Sequence, residues 1–282
     1  MNDGGGLTVR CRFLKAALGA VVMVCALAPS GAPGQETHHD AEAALAMKLQ
    51  NPVAALISVP FQSNFEWGGG PQSNGFKYTL NFQPVIPIPL TKDINLISRT
   101  IVPIIYQHDV IPHGDQGGVG DLLQSFFFSP QAPGLGGIIW GAGPVFQAPT
   151  STEDFLGTQK FASGPTVVAL KQTSGWTVGI LTNHLISTGG TRSTTHVNAT
   201  FLQPFLSYTT RTHTTFSVNT ESTYDWENTK WTVPLNFMAA QLLKLGGLPM
   251  QFQLGPKVYA TGPTSAADWG IRFTYTLLFP TK

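Results

Sequence analysis

The chain has 282 residues and a formal net charge of +1, with 11% charged and 11% aromatic residues. Nothing in that balance argues for nucleic acid as a partner or for a basic membrane-surface domain, since both need clustered cationic charge. Charge well below the ~25% of ordinary soluble domains, beside 30 glycines and 21 prolines, agrees instead with a membrane β-barrel.

Residues 1–34 read as an export signal. Arg10, Arg12 and Lys15 supply a positive start, and residues 16–28 form an apolar stretch too short to span a bilayer as a helix. Cleavage after Gly34 would satisfy the small-residue rule at Ala32 and Gly34, which favours a signal over a transmembrane anchor. Cys25 does not make a lipoprotein site, because Val24 stands where a small residue is needed. Both cysteines, Cys11 and Cys25, fall inside the signal, so the mature chain has no disulfide framework, thiolate metal site or cysteine nucleophile. Beyond the signal no apolar run reaches ~18 residues. If the mature chain lies in a membrane it must close into a barrel, because lipid offers backbone groups no partners.

Residues 35–53 form a separate N-terminal segment. Residues 40–50 are rich in helix formers, with Asp40 placed as an N-cap and Pro52 as a terminator. Two readings stand: a short periplasmic helix that folds back into or under the lumen, or a mobile leader. His38, His39 and Asp40 are adjacent and cannot converge on one ion without further ligands, so no metal site is expected there.

Residues 54–282 read as the barrel. Ile57, Val59, Phe61, Phe65 and Trp67 alternate with Ser58, Gln62, Asn64 and Glu66, and the pattern recurs in about twelve segments. They are expected at 53–67, 76–88, 95–107, 120–129, 138–149, 162–172, 176–187, 196–209, 212–226, 231–243, 250–261 and 268–279. Connections after odd segments are mostly long and polar, and those after even ones mostly tight, such as 91–94, 173–175, 210–211 and 244–249. Residues 130–137 are the exception. Short periplasmic turns and long external loops are the barrel rule, so both ends of the barrel sequence are expected in the periplasm. Trp67, Tyr106, Trp140, Trp176, Tyr208, Tyr224, Trp226, Trp231 and Trp269 stand near segment ends, where interfacial girdles belong. The final segment puts Trp269, Ile271, Phe273, Tyr275, Leu277 and Phe279 on one face, as a closing strand that meets the first would. Pro280, Thr281 and Lys282 follow, a departure from a strictly terminal aromatic. Prolines 60, 84, 87, 103, 144, 165, 204, 234 and 256 fall inside strands and demand either bulges or shorter strands. The fold class is therefore all-β: a transmembrane antiparallel up-and-down barrel with a short helical segment before it.

The stretches NPVAALISVPFQSNF, LNFQPVIPIPL, ISRTIVPIIYQ, IIWGAGPVFQAPT, NATFLQPFLSYTT, NTESTYDWE, WTVPLNF and the LLKLGG turn resemble a family of outer-membrane channels. That family is grouped under a phenol-degradation (meta-cleavage pathway) label and is sometimes misnamed neuromedin U. The resemblance runs from about Asn51 to Phe279. It implies an outer-membrane barrel that passes small molecules, with aromatic compounds suggested by the label, and it supplies no binding residues.

Enzymatic chemistry is not expected. His184 and Ser187 are three apart, so a strand puts them on opposite faces, and His213 has Thr215 where a serine would be needed. Glu153 and Asp154 read as a solvated loop pair, and the glycines at 68–70 and 117–118 lack the strand-to-helix context of a phosphate loop. No cofactor, metal or catalytic residue is predicted. The expected partners are outer-membrane lipid, the barrel-assembly machinery and a small-molecule solute. Two functions remain: a channel, or a structural or adhesive barrel with a filled lumen and working external loops. An inward face of Ser, Thr, Asn and Gln with scattered charges favours the channel. Glu66, Arg99, Glu221, Asn236, Lys257 and Arg272 are the predicted lumen-lining residues. Symmetric turns would place Glu221 opposite Asn236, Asn236 opposite Lys257, and Lys257 opposite Arg272, one polar row with an uncompensated positive pair.

Overall fold

The computed structural model describes residues 36–111, 114–190, 196–263 and 266–279. The export signal, the side chains of His38, His39 and Asp40, and Pro280 to Lys282 lie outside them. A helix α1, Glu36–Lys48, precedes the strands. It starts four residues before Asp40, which is therefore inside the helix and not its N-cap. No helix is long and apolar enough to cross a membrane among the described residues.

Twelve antiparallel strands follow. They are β1 (Ile57–Gly69), β2 (Gly75–Phe82, continued by Val85–Pro89), β3 (Ile94–His108) and β4 (Gln116–Val119, continued by Leu122–Pro130). Next come β5 (Ile138–Ala148), β6 (Lys160–Thr173), β7 (Trp176–Gly190) and β8 (Asn198–Thr209). The last four are β9 (Thr214–Thr220, continued by Ser222–Asp225), β10 (Lys230–Leu245), β11 (Leu248–Thr261) and β12 (Trp269–Phe279). Each pairs with its sequence neighbours, and β12 returns to β1 over an unbroken register from Ile57↔Phe279 to Trp67↔Trp269. The sheet thus has no free edge, the condition a membrane wall must meet.

Alternation decides the faces. Along β12 the even residues Gly270, Arg272, Thr274, Thr276 and Leu278 are buried, while Trp269, Ile271, Phe273 and Phe279 are exposed. Large exposed side chains on other strands, among them Ile104, Phe128, Val178, Ile180, Phe216, Phe237 and Leu254, continue this outward apolar belt. Aromatics rim it at both ends. Trp67 stacks on Trp269 at 4.7 Å and lies 5.5 Å from Phe76, and Tyr224 packs with Trp226 and Trp231, all where the long loops emerge. Trp176 and Tyr208 meet at 4.8 Å at the turn end. Both rims match interfacial girdles.

The turn chemistry is local. Ser174–Gly175 and Gly246–Gly247 all take positive φ, the geometry that two-residue hairpins require. The turn expected at 210–211 is instead four residues long. Thr210 and Thr214 close it, and His213 takes a left-handed conformation at φ 60.

Six of the nine strand prolines fall into two devices, while Pro87 and Pro204 sit in unbroken register opposite Ile97 and Ile180. Where a strand is interrupted, a proline sits in the break or faces it: Pro84 lies in the break of β2, the Gly120 N–H donates to the Pro103 carbonyl, and the register places Glu221 opposite Pro234. A proline has no N–H to give the ladder, so its neighbour leaves the ladder locally. The other device is a Gly-Pro pair inside a strand. At Gly143–Pro144, Gly164–Pro165 and Gly255–Pro256 the ladder to one neighbour skips two residues and resumes in the same register. In each case a Cβ on the glycine would collide with a facing carbonyl oxygen, of Phe126, His184 and Phe237 respectively. The glycine lets the facing backbone close in where the proline has removed a hydrogen bond.

Candidate functional site

The inward face is divided around its circumference. From β4 to β8 it mixes a cluster of apolar side chains with buried polar ones such as Ser125, Thr166, Thr177 and Asn183, where the expectation was a polar lumen throughout. Phe127, Val168, Leu170 and Leu181 are buried there with Ile97 of β3, and Ile139, Phe201 and Phe205 pack against them. A second group, Val145, Ala162 and Leu185, lies nearer the loop end. The signal for this was present: Val167–Val168, Ala169–Leu170 and Ile180–Leu181 are apolar on both faces, a pattern that marks burial on both sides.

The turn end of this interior is occupied. Val53 sits in the apolar cluster, and the Gly141 position lies against it. Residues 53–56, expected to begin the first strand, thus fill the interior instead. Ala46 of α1 joins Ala54, Leu56, Leu242 and Leu278, which explains why Leu278 breaks the small-residue pattern of its face. Polar contacts fix the helix: Gln172 Nε2 donates to the Met47 carbonyl at 2.8 Å, and Glu42 lies 3.5 Å from His213 and 3.7 Å from Lys244.

The wall from β9 round to β3 carries most of the charged groups, and the six predicted residues face inward on it: Glu66, Asn236, Lys257 and Arg272 are buried, and Arg99 and Glu221 bond to inward neighbours. Their neighbours differ from the symmetric-turn expectation. Asn236 does lie opposite Lys257, but Asn219 rather than Glu221 lies opposite Asn236, and Gly270 rather than Arg272 lies opposite Lys257. The first slip comes from Asp225, whose carboxylate accepts the Glu227 and Asn228 N–H groups and so ends the strand early. The second comes from Asp268, which accepts the Tyr259 N–H and donates its own to Trp67. Both slips are by two residues, which changes partners but preserves the face.

The slips abolish the like-charge pair. Lys257 Nζ meets Glu66 Oε1 at 2.6 Å, and the Tyr259 hydroxyl donates to the same oxygen at 2.6 Å. Arg272 grips Glu221 through two bonds of 2.7 and 2.6 Å, and its Nε donates to Asn64 Oδ1 at 2.7 Å. Arg99 Nη2 donates to Gln83 Oε1 at 2.9 Å. Glycine opposite each long cation makes this possible: Gly270 faces Lys257 and Gly255 faces Arg272, so the cationic stems cross empty space. Tyr259, Asn64 and Lys77 belong to the same wall and were not predicted. Tyr259 and Asn64 stand two residues from Lys257 and Glu66, on the same face, and that period-2 step was the available signal.

At the loop end the wall opens into a cavity of about 330 Å³. Glu66, Lys77, Gln107 and Tyr259 form its polar side, and Val110, Ile111, Phe155, Ala266 and Ala267 from three loops cover it. Asp121 pins one of these loops by accepting from Ser151 N, Thr158 N and Gln147 Nε2.

The partner considered for Ser187, His184, lies on the other face, and Ser187 Oγ is instead 3.5 Å from His196 Nδ1. His184 faces outward and its Nδ1 is 2.9 Å from Thr200 Oγ1. Asp154 accepts from Gln159 at 2.9 Å in its loop.

The fold and this interior define the class: a closed twelve-strand up-and-down barrel with an apolar exterior and a divided interior. An outer membrane channel from Pseudomonas putida F1 is similar in structure, with a TM-score of 0.60 and 15% identity over 79% of this chain and 94% of that one. The β domain of the Bordetella autotransporter Brka aligns over 80% of this chain and 100% of its own at 10% identity, but its TM-score of 0.44 is too low to carry an argument. No protein-family model and no curated protein matches the chain.

Proposed function

We propose that the chain is an outer-membrane channel for small molecules in a bacterial envelope, exported by its N-terminal signal and inserted by the barrel-assembly machinery. The observation that carries this reading is the polar inner wall. Glu66, Lys77, Arg99, Glu221, Lys257 and Arg272 line one side of a barrel whose outside is apolar. The likeness to the Pseudomonas channel supports the fold on which the reading rests. The resemblance to channels under a phenol-degradation label adds aromatic compounds as solutes, and the apolar cluster from β4 to β8 suits such bodies.

The apolar interior and the helix at its turn end favour a second reading, a filled structural or adhesive barrel. Single-channel recording of the purified mature protein in planar bilayers separates the two. Discrete conductance steps support the channel. Silence from protein that is inserted and heat-modifiable assigns it to the filled barrel.

A further inference from the structure

The loop-end cavity combines features that neither reading of the barrel requires. Two carboxylates, Glu66 and Glu221, share the polar wall with four cations, Lys77, Arg99, Lys257 and Arg272. Glu66 is taken by Lys257 and Tyr259, and Glu221 by Arg272. Lys77 lies across the strand pair from Glu66 and close enough to feel it and Lys257, yet it makes no hydrogen bond or ion pair among the described residues. Lys77 is half-buried on the cavity wall, so an anion entering the cavity can take the charge-assisted bond that no protein group supplies.

The surroundings add a second requirement. Gln107 pairs with Lys77 in the ladder, faces the same cavity, and is 2% exposed. Its amide is held only by bonds of 3.5 Å to Gln116 Oε1 and the Phe155 carbonyl, so it can turn to a better acceptor. Above these donors stand Val110, Ile111, Phe155, Ala266 and Ala267, which offer apolar surface. The volume of about 330 Å³ lies at the small end of ligand pockets.

We infer that this cavity binds a small amphiphilic monoanion, a short-chain carboxylate, with its headgroup on Lys77 and Gln107 and its apolar body under the three loops. The inference deepens the channel reading by naming the solute class that the external mouth selects. A dication or a sugar gains little from these groups: the first finds Glu66 already held by Lys257 and Tyr259, and the second finds too few polar partners.

The test uses detergent-folded mature protein and hexanoate, with hexylammonium as a control of equal length and opposite charge, read by isothermal titration calorimetry. Saturable hexanoate binding is expected, with none for hexylammonium. Lys77→Met should weaken it about tenfold or more, the loss of one charge-assisted contact, and Lys77→Arg should retain it. Heat-modifiability of each variant reports folding, and a Lys77→Met variant that fails it is replaced by Lys77→Gln. No binding by the wild type, equal binding of the two probes, or an unchanged affinity in folded Lys77→Met or Lys77→Gln overturns the inference. Conductance of the same preparation without hexanoate tests the channel reading separately. Binding without conductance removes the channel and leaves the site, and conductance without binding does the reverse.

Discussion

Arg272 of β12 holds Glu221 of β9 in a two-bonded pair at 2.7 and 2.6 Å, although β10 and β11 stand between them. The pair therefore spans the interior as a chord and ties together strands that share no ladder. Arg272 is 4% exposed and Glu221 23% at the side chain. Removing one partner leaves the other charge in a poorly solvated interior, a loss of about 3–5 kcal/mol for a fully buried pair and less here because Glu221 is partly wet. Arg272→Met should lower the temperature at which the folded, fast-migrating band is lost. Arg272→Met with Glu221→Leu should recover much of that loss, since no orphan charge remains. A single variant as heat-resistant as the wild type would show that the chord does not brace the barrel.

The Gly-Pro device makes a prediction about assembly. Gly164 and Gly255 each stand against a facing carbonyl, of His184 and Phe237, where an added methyl group has no room. The obstacle is backbone, which cannot rotate away as a side chain could. Gly164→Ala or Gly255→Ala should therefore cost at least the ~1–3 kcal/mol of ordinary overpacking and reduce the folded yield. Gly246→Ala, at a turn with open space around it, should spare yield far better despite its positive φ of 59. Equal folded yields for all three would refute the account of how the wall tolerates its prolines.

Much of this fold was legible because its main signal is parity. The alternation of Phe273 and Tyr275 with Arg272 and Thr274 fixes which side of the wall each residue occupies, whatever the neighbouring strand does. Register was harder to read. It depends on single residues in loops, here the Asp225 carboxylate and the Asp268 backbone, and each moved its pairing by two residues. The faces of Glu221, Lys257 and Arg272 thus survived while their partners did not, and the proposed uncompensated charge passed from Lys257 and Arg272 to Lys77. The apolar cluster of the interior was missed for another reason. A strand apolar on both faces, such as that carrying Ile180 and Leu181, resembles a lipid-facing one when only its outward residues are counted.

The helix and the residues after it should control access from the turn end. Val53 is packed into the apolar interior, and α1 is held by Gln172, His213 and Lys244. None of these contacts belongs to the strand ladder, so the wall can form without them. Deleting residues 36–50 should leave heat-modifiability intact and raise single-channel conductance. An unchanged conductance in the folded deletion would mean that the helix does not obstruct the path.

The outward belt supplies the last prediction. Tyr275 lies in the middle of β12, between Phe61 of β1 and Phe252 of β11, with ring centroids 6.0 and 5.3 Å away. Phe279 stands at the turn end of the same face, opposite Ile57. A cation placed on the lipid side costs ~2–4 kcal/mol near the midplane and about 0–1 near an interface. Tyr275→Arg should therefore depress insertion strongly, by the lipid penalty and by the loss of two ring contacts. Phe279→Arg should insert better than Tyr275→Arg, because its charge can reach the headgroups. Insertion into vesicles of defined lipid, followed by the fraction of heat-modifiable protein, measures the difference. If Phe279→Arg proved the more damaging of the two, depth would not be the cause, and a role for Phe279 in recognition during assembly would take its place.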